Sequence, residues 1–238
     1  TEGYKKMAAL TLPSYRVEDL EGHAVEAKIE DLGANFEYDL PKDKFRQARI
    51  ARQVRVTVPV HLAPLSWTTF QLLEGEQEHR DGIYQNGVID TPFVTVSVDE
   101  NITVYDKTTH EAYEDVIRFE DRGDIGNEYI YFQPKGTEPI YAELKGYEVL
   151  ENTARFAKIL LKHELTIPVS ADEKLDAEQR GIIEFMTREA GRSEELTSVL
   201  LETEMTVFVD NPQIRFKTRF TNTAKDHRIR LLVKTHNT

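Results

Sequence analysis

The chain has no cysteine in its 238 residues. Disulfides, thiolate metal sites and a cysteine nucleophile are thereby excluded, and a reducing, cytoplasmic setting is the expectation. No apolar run approaches the ~20 residues that a membrane-spanning helix needs. The first residues, Thr1-Glu2-Gly3-Tyr4-Lys5-Lys6-Met7, lack the apolar centre of a secretory signal. Position 1 is Thr rather than Met, which suggests an excised or processed piece. Positive charge is in deficit: 30 Lys and Arg stand against 42 Asp and Glu, for a net charge of −12. No nucleic-acid or membrane partner is expected from that balance. The charges are interspersed, the pattern of a solvated surface. Helix signals are few, and no repeat of roughly 20–50 residues is present.

What the chain does have is alternation with period two, which marks half-buried strands. Val54-Arg55-Val56-Thr57-Val58 alternates and is stopped by Pro59. Trp67 to Leu73 reads as a strand, with Trp67 and the other aromatics spaced as core residues. Phe93 to Val98 and Ile102 to Tyr105 read as a hairpin around Asp99-Glu100-Asn101. Longer strands follow over Ile140 to Leu150 and Ala154 to Val169. Met205 to Val209, the turn Asp210-Asn211-Pro212, and Ile214 to Phe220 form another hairpin, and Arg228 to Val233 is the last strand. Lys174 to Arg188 fits a helix with Asp172 as N-cap, yet Ile182, Ile183, Phe185 and Met186 also fit a strand. The polar stretch Glu74 to Gly82 marks a boundary. The predicted organisation is all-β: a small N-terminal module over 1–75 and a large antiparallel β-sandwich over 76–238.

One stretch is unusual: Phe119-Glu120-Asp121-Arg122-Gly123-Asp124-Ile125-Gly126-Asn127-Glu128-Tyr129-Ile130-Tyr131. It crowds carboxylates and glycines between two strand-like runs, Val116 to Phe119 and Tyr129 to Phe132. Glycine permits sharp bends and close approach, and loops on a rigid β scaffold commonly carry function. The stretch resembles the E-D-x-G-D-x-G-D-x-Y loop of bacterial glycoside hydrolase family 38 α-mannosidases. Glu120, Asp121, Gly123, Asp124, Gly126 and Tyr129 match, and Asn127 replaces the more usual Asp. A second segment, Asn222-Thr223-Ala224-Lys225-Asp226-His227-Arg228-Ile229-Arg230, is similar to that family's N-x-A-K-D-H-R-L-R-V strand. The likeness runs from Phe93 to the C-terminus.

The resemblance implies a C-terminal β region whose largest part is like the galactose mutarotase supersandwich. It implies that the whole enzyme hydrolyses α-mannosides with retention, and that zinc, nucleophile and acid lie in a catalytic domain absent from this chain. The chain itself is then expected to hold no metal and no catalytic residue. Its partners would be that catalytic domain, in the same polypeptide, and the α-mannoside; a homo-oligomer is left open. In animal relatives a similar G-x-Y places its Tyr against the bound mannose. Carried over, that residue is Tyr129, with an apolar face for a sugar ring and one hydroxyl. Asp121, Asp124 and Glu128 would accept sugar-hydroxyl bonds or pin the loop, while Asp226, His227 and Arg228 would reach the cleft or the neighbouring domain. The bland readings are an acidic hairpin with Tyr129 in the core, and a strand start at Asp226 paired to an arginine.

Other signals carry less. His79-Arg80-Asp81 spells H-x-D, a zinc motif of the family, but it sits in the polar linker and is read as solvated. Retaining hydrolysis needs two carboxyls about 5–5.5 Å apart; Asp121 with Asp124, or Asp124 with Glu128, would have to meet that distance on a tight turn. Arg122-Gly123-Asp124 matches an integrin tripeptide, a match common by chance. Asn101-Ile102-Thr103 is a glycosylation sequon without use in a bacterial cytoplasm. The rival function is a stand-alone β-sandwich that binds carbohydrate or protein, for which an aromatic platform on an exposed sheet face would speak. A self-contained mutarotase-like enzyme would need a His and a carboxylate in one cleft, with His163 or His227 as candidates. Linkage and aglycone are not readable from these residues.

Overall fold

In a computed structural model of the chain, residues 2–78 and 80–235 are described. Strands dominate, as the period-two patterning requires. The chain divides into two compact units, Thr1–His79 and Arg80–Thr238.

The first unit opens with a short helix, α1 (Glu2–Ala8), and continues through β1 (Tyr15–Asp19), β2 (Ala24–Val25), β3 (Lys28–Asp39), β4 (Gln47–Thr57) and β5 (Phe70–Glu74). β1 lies between β2 and β5 in a small antiparallel sheet. β3 and β4 form a separate long hairpin, running from Lys28 opposite Thr57 to Asp39 opposite Gln47. Its one irregularity falls at Asp31/Gly33, where Gly33 adopts φ 83°, a conformation that favours glycine at a bulge. The run at Val54 to Val58 is the end of β4, which stops at Thr57, ahead of Pro59. Trp67 departs from the expectation of a core residue: it is 82% exposed. Leu65 at φ 57° and the Ser66 N–H bonded to the Ala63 carbonyl turn the chain there, so the strand starts only at Phe70.

The second unit contains three antiparallel sheets. A meander of β6 (Tyr84–Gln85), β7 (Val88–Asp90), β8 (Val94–Val98), β9 (Ile102–Asp106) and β10 (Glu111–Tyr113) forms one. The predicted hairpin is β8 with β9, closed at Val98 opposite Ile102. β11 (Ile117–Gly123), flanked by β12 (Ile140–Tyr141) and β17 (His227–Val233), forms the second. The third holds β13 (Glu143–Asn152), β14 (Phe156–Pro168), β15 (Leu196–Phe208) and β16 (Ile214–Phe220), in that order. Ala157, Ile159, Leu161, His163, Leu165 and Ile167 of β14 all point to one buried face. One end of that face packs on Ile89, Val96 and Ile117, and the other on Phe119 and Ala224. The result is the all-β sandwich expected.

β14 and β15 pair over thirteen positions, from Phe156 opposite Phe208 to Pro168 opposite Leu196. Between them the chain leaves the sheet, forms α2 (Lys174–Arg180) and a single 3₁₀ turn at Phe185–Thr187, and returns. The helix reading of Lys174 to Arg188 holds for its first half, with Glu173 rather than Asp172 as N-cap, and the strand reading does not: α2 stops at Gly181, and Ile182 takes φ 55°. Asp172 accepts the Lys174 N–H with one oxygen and the Gly191 N–H with the other, so it closes the base of the excursion. The run Tyr129 to Phe132 is not a strand. Side chains of Asp124 and Asn127 take the N–H groups of Phe132, Tyr129 and Ile130, the local competition that keeps such residues out of strands.

Candidate functional site

The site is built at one end of the paired strands β11 and β17, where Asp121 lies opposite Ile229 and Gly123 opposite His227. β11 carries two adjacent carboxylates, both buried. Glu120 is held by Arg122 Nε at 2.8 Å and Arg230 Nε at 3.0 Å, both donating to Oε1. The Arg122 hydrogen bond, helped by Arg230, lowers its pKa to about 2. Asp121 is fully buried. Its Oδ2 accepts from Arg192 Nη1 at 2.6 Å, and its Oδ1 lies 2.6 Å from His227 Nδ1. His227 Nε2 lies 2.9 Å from Asn222 Oδ1, which also accepts the Ala224 N–H, so Nε2 is the donor there. The chain Arg192, Asp121, His227, Asn222 ties three separate segments together. A carboxylate so placed pins the structure; it has no free oxygen for a sugar. Arg122 and Gly123 are parts of β11, with Arg122 on Glu120 and Gln133 and Gly123 buried, so Arg122-Gly123-Asp124 is not displayed as a recognition loop.

Beyond Gly123 the chain forms a compact ring over Asp124–Phe132. Asp124 N–H bonds the Asp226 carbonyl at 2.8 Å, and Asp124 Oδ1 accepts the N–H groups of Gly126 and Phe132. Ile125 N–H donates to the Phe132 carbonyl and Asn127 N–H to that of Ile130. Asn127 Oδ1 accepts the N–H groups of Tyr129 and Ile130 at 2.9 Å each. That role needs an acceptor and no charge, so Asn127 serves as well as Asp. Gly126 is required on steric grounds: a Cβ there would lie 1.8 Å from the Ile130 carbonyl oxygen. Ile125 is the apolar anchor of the ring, packed with Ala171, Leu175 and Ala190. At the outer tip Tyr129 is 87% exposed, so the reading that buries it in the core is excluded.

A cleft of about 510 Å³ lies beside this ring, bordered by Asp124, Asn127, Glu128, Arg188, Asp226 and His227 among others. The structure therefore gathers Asp124, Glu128, Asp226 and His227 at one opening. Asp121 lies beneath it, Tyr129 stands at the tip outside its wall, and Arg228 stacks on the Tyr131 ring at 3.6 Å. Asp226 takes φ 50° and its Oδ2 accepts the Ala171 N–H, so it links β17 to the excursion between β14 and β15.

Residues that the sequence did not single out are central: Arg188, Arg192 and Asn222. Asn222 stands in the N-x-A-K-D-H segment, so its signal was present. The two arginines sit in an excursion with no motif. His163 is buried with Nδ1 lacking a partner among the described residues, and burial lowers its pKa. It borders a smaller hollow of about 340 Å³ with Asp115, Arg118 and Glu143.

The cleft supplies a single imidazole, His227, whose two nitrogens are already engaged, so its residues do not fit zinc. Among the described residues one group has three potential ligands close together, Asp19, Glu21 and His23 on an exposed turn. There Asp19 already binds the Glu21 and His23 N–H groups and the His23 ring. His79 and His236 lie outside the described residues, and with His79 the H-x-D triplet.

Comparison with known proteins gives concordant results. The family model described as "Glycosyl hydrolases family 38 C-terminal domain 1" matches residues 1–74. A protein of Halalkalibacterium halodurans described as "Putative mannosylglycerate hydrolase" is 30% identical over 95% of this chain. Among solved structures, an α-mannosidase from Enterococcus faecalis V583 superposes with a TM-score of 0.86 at 34% identity over 98% of this chain. A glycosyl hydrolase family 38 protein from Enterococcus faecalis gives 0.81 at 30% identity over 97%. The chain spans about a quarter of the length of each: 27%, 27% and 28%.

Proposed function

We propose that this chain, which corresponds to the C-terminal β region of family 38 glycosyl hydrolases, completes the substrate cleft of an enzyme that hydrolyses α-mannosides with retention. The catalytic carboxylates and the zinc would belong to the part of the longer protein that this chain does not span. Zinc would there bind the sugar; this chain's residues take no part in that step. Their task is to present Tyr129 to the mannoside and to hold Asp124 and Glu128 at the rim as hydroxyl acceptors. The carrying observation is the ring itself: a loop fixed by its own side chains and a steric glycine, with a tyrosine 87% exposed at its tip. An unpaired tyrosine on a rigid mount suits one stacking surface and one hydrogen bond. Asp226, His227 and Arg228 serve in this reading as the floor beneath the mount and as contacts to the catalytic domain. The cytoplasm is its compartment in this reading, which a cysteine-free chain permits. No helix among the described residues is long and apolar enough to cross a membrane.

The test is α-mannosidase activity, with added zinc, of the longer protein and its Tyr129→Phe variant. The expected loss is more than about tenfold in kcat/KM, equivalent to about 1.4 kcal/mol of transition-state stabilisation. An active parent with an unaffected variant would reduce the ring to a structural turn. The chain alone is expected to fold and to leave mannosides intact.

One observation favours the rival reading of a binding module. Phe36 and Tyr38 lie in edge contact at 5.1 Å on the β3–β4 hairpin, each about half exposed. Calorimetric titration of the isolated chain with α-mannosides separates the two: heat lost on Phe36→Ala would favour the module.

A further inference from the structure

Arg188 stands out among the buried cations of this chain. Its side chain is nearly enclosed, at 8% exposure, and no carboxylate among the described residues pairs with it. Its guanidinium is spent on backbone: Nη1 donates to the carbonyls of Ile125 at 2.5 Å and Gly126 at 2.8 Å, and Nε to that of Ile183 at 3.2 Å. Burying a cation without a counter-ion is costly. A neutral donor would satisfy one carbonyl at less cost. The planar fork reaches three carbonyls from two segments, which a lysine cannot copy.

Two of those carbonyls, of Ile125 and Gly126, belong to the ring that carries Tyr129; the third, of Ile183, lies in Arg188's own excursion. The ring's internal hydrogen bonds fix its shape, and the Asp124 N–H on the Asp226 carbonyl fixes one side of its base. Arg188 grips the other side, joined by the edge contact of Phe132 with Phe185 at 5.6 Å. Shape and attitude thus have separate supports, and Arg188 is one of those that hold the base.

We propose that Arg188 is a positioning residue for mannoside hydrolysis, setting through the Ile125 and Gly126 carbonyls where Tyr129 stands against the sugar. The proposal rests on the reading of Tyr129 as a substrate contact. A group acting through Tyr129 loses its effect once the tyrosine is disabled, so its energetic contribution must not add to that of Tyr129.

The experiment is a double-mutant cycle in the longer, zinc-loaded protein, with Arg188→Lys, Tyr129→Phe and the pair. Arg188→Lys is expected to lower kcat by about tenfold with KM little changed, the mark of an interaction made in the transition state. The pair is expected to be no worse than the weaker single variant. Amide exchange over 126–130 should speed up in Arg188→Lys while the melting temperature holds; Arg188→Met serves in its place if the lysine variant does not fold. Losses that multiply in the pair overturn the proposal. So does an unimpaired Arg188→Lys beside a damaged Tyr129→Phe, which would leave the Tyr129 reading standing. An unimpaired Tyr129→Phe would sink both.

Discussion

Of the apolar side chains that the fold buries among its described residues, Val17 alone lies in Thr1–His79; the others line Arg80–Thr238. The larger unit carries its own core, built on the alternating face of β14. The smaller unit leaves Leu40 and Phe45 in water and joins its long hairpin through pairs such as Arg52 with Asp31 and Arg49 with Glu37. A two-stranded hairpin is marginal by itself, and exposed ion pairs add little. The difference teaches that strand content and stability are separate properties. The first unit has the strands; the second has the apolar area that drives folding.

The sharpest way to break that comparison is to separate the units. Residues 80–238 are expected to unfold cooperatively in urea, and residues 1–79 to show no sigmoidal transition by circular dichroism. A sharp transition in the smaller piece would overturn the contrast. Next comes the core: Leu161→Ala, at a fully buried position, is expected to cost about 2–5 kcal/mol in urea titration. Acid then probes Glu120. Its folded pKa lies near 2, below its ordinary 4.5. The stabilisation is therefore complete above about pH 4.5 and disappears as the pH falls toward 2, with an upper size of about 3 kcal/mol. Glu120→Gln should flatten that acid limb and lower stability at pH 7. The smallest effect belongs to the hairpin: Phe45→Ala, at a position 86% exposed, should change stability by less than about 0.5 kcal/mol. A larger cost would mean that Phe45 is covered in solution.

How far the sequence could be read follows the same division. β8, β9, β14 and β16 were legible because alternation records burial on one face. Trp67 misled because an aromatic was taken for a core residue, where a turn at Leu65 holds it in water. The acidic ring was visible as a motif, but its interior was not. Which carboxylates turn inward depends on partners far along the chain. Asp121 is claimed by Arg192 and His227, 71 and 106 residues away. Asp124 and Asn127 each spend Oδ1 on nearby N–H groups, an Asx pattern readable in principle. Arg188 left no trace, because its partners are carbonyls, which have no signature in sequence.

The excursion between β14 and β15 has a consequence for how such a protein can change over generations. It departs after Pro168 and returns at Leu196, two residues already paired across the sheet. Its stem continues outward through the Val169 N–H to Glu195 carbonyl bond and the bridge of Ala171 with Arg192. The segment is therefore an insertion on an intact hairpin, and it brings Arg188 to the opening and Arg192 to the buried Asp121. Descendants could exchange the whole insertion in one recombination event and retune the mount while the sandwich stays the same. A designer has the same handle: two cut points and one graft.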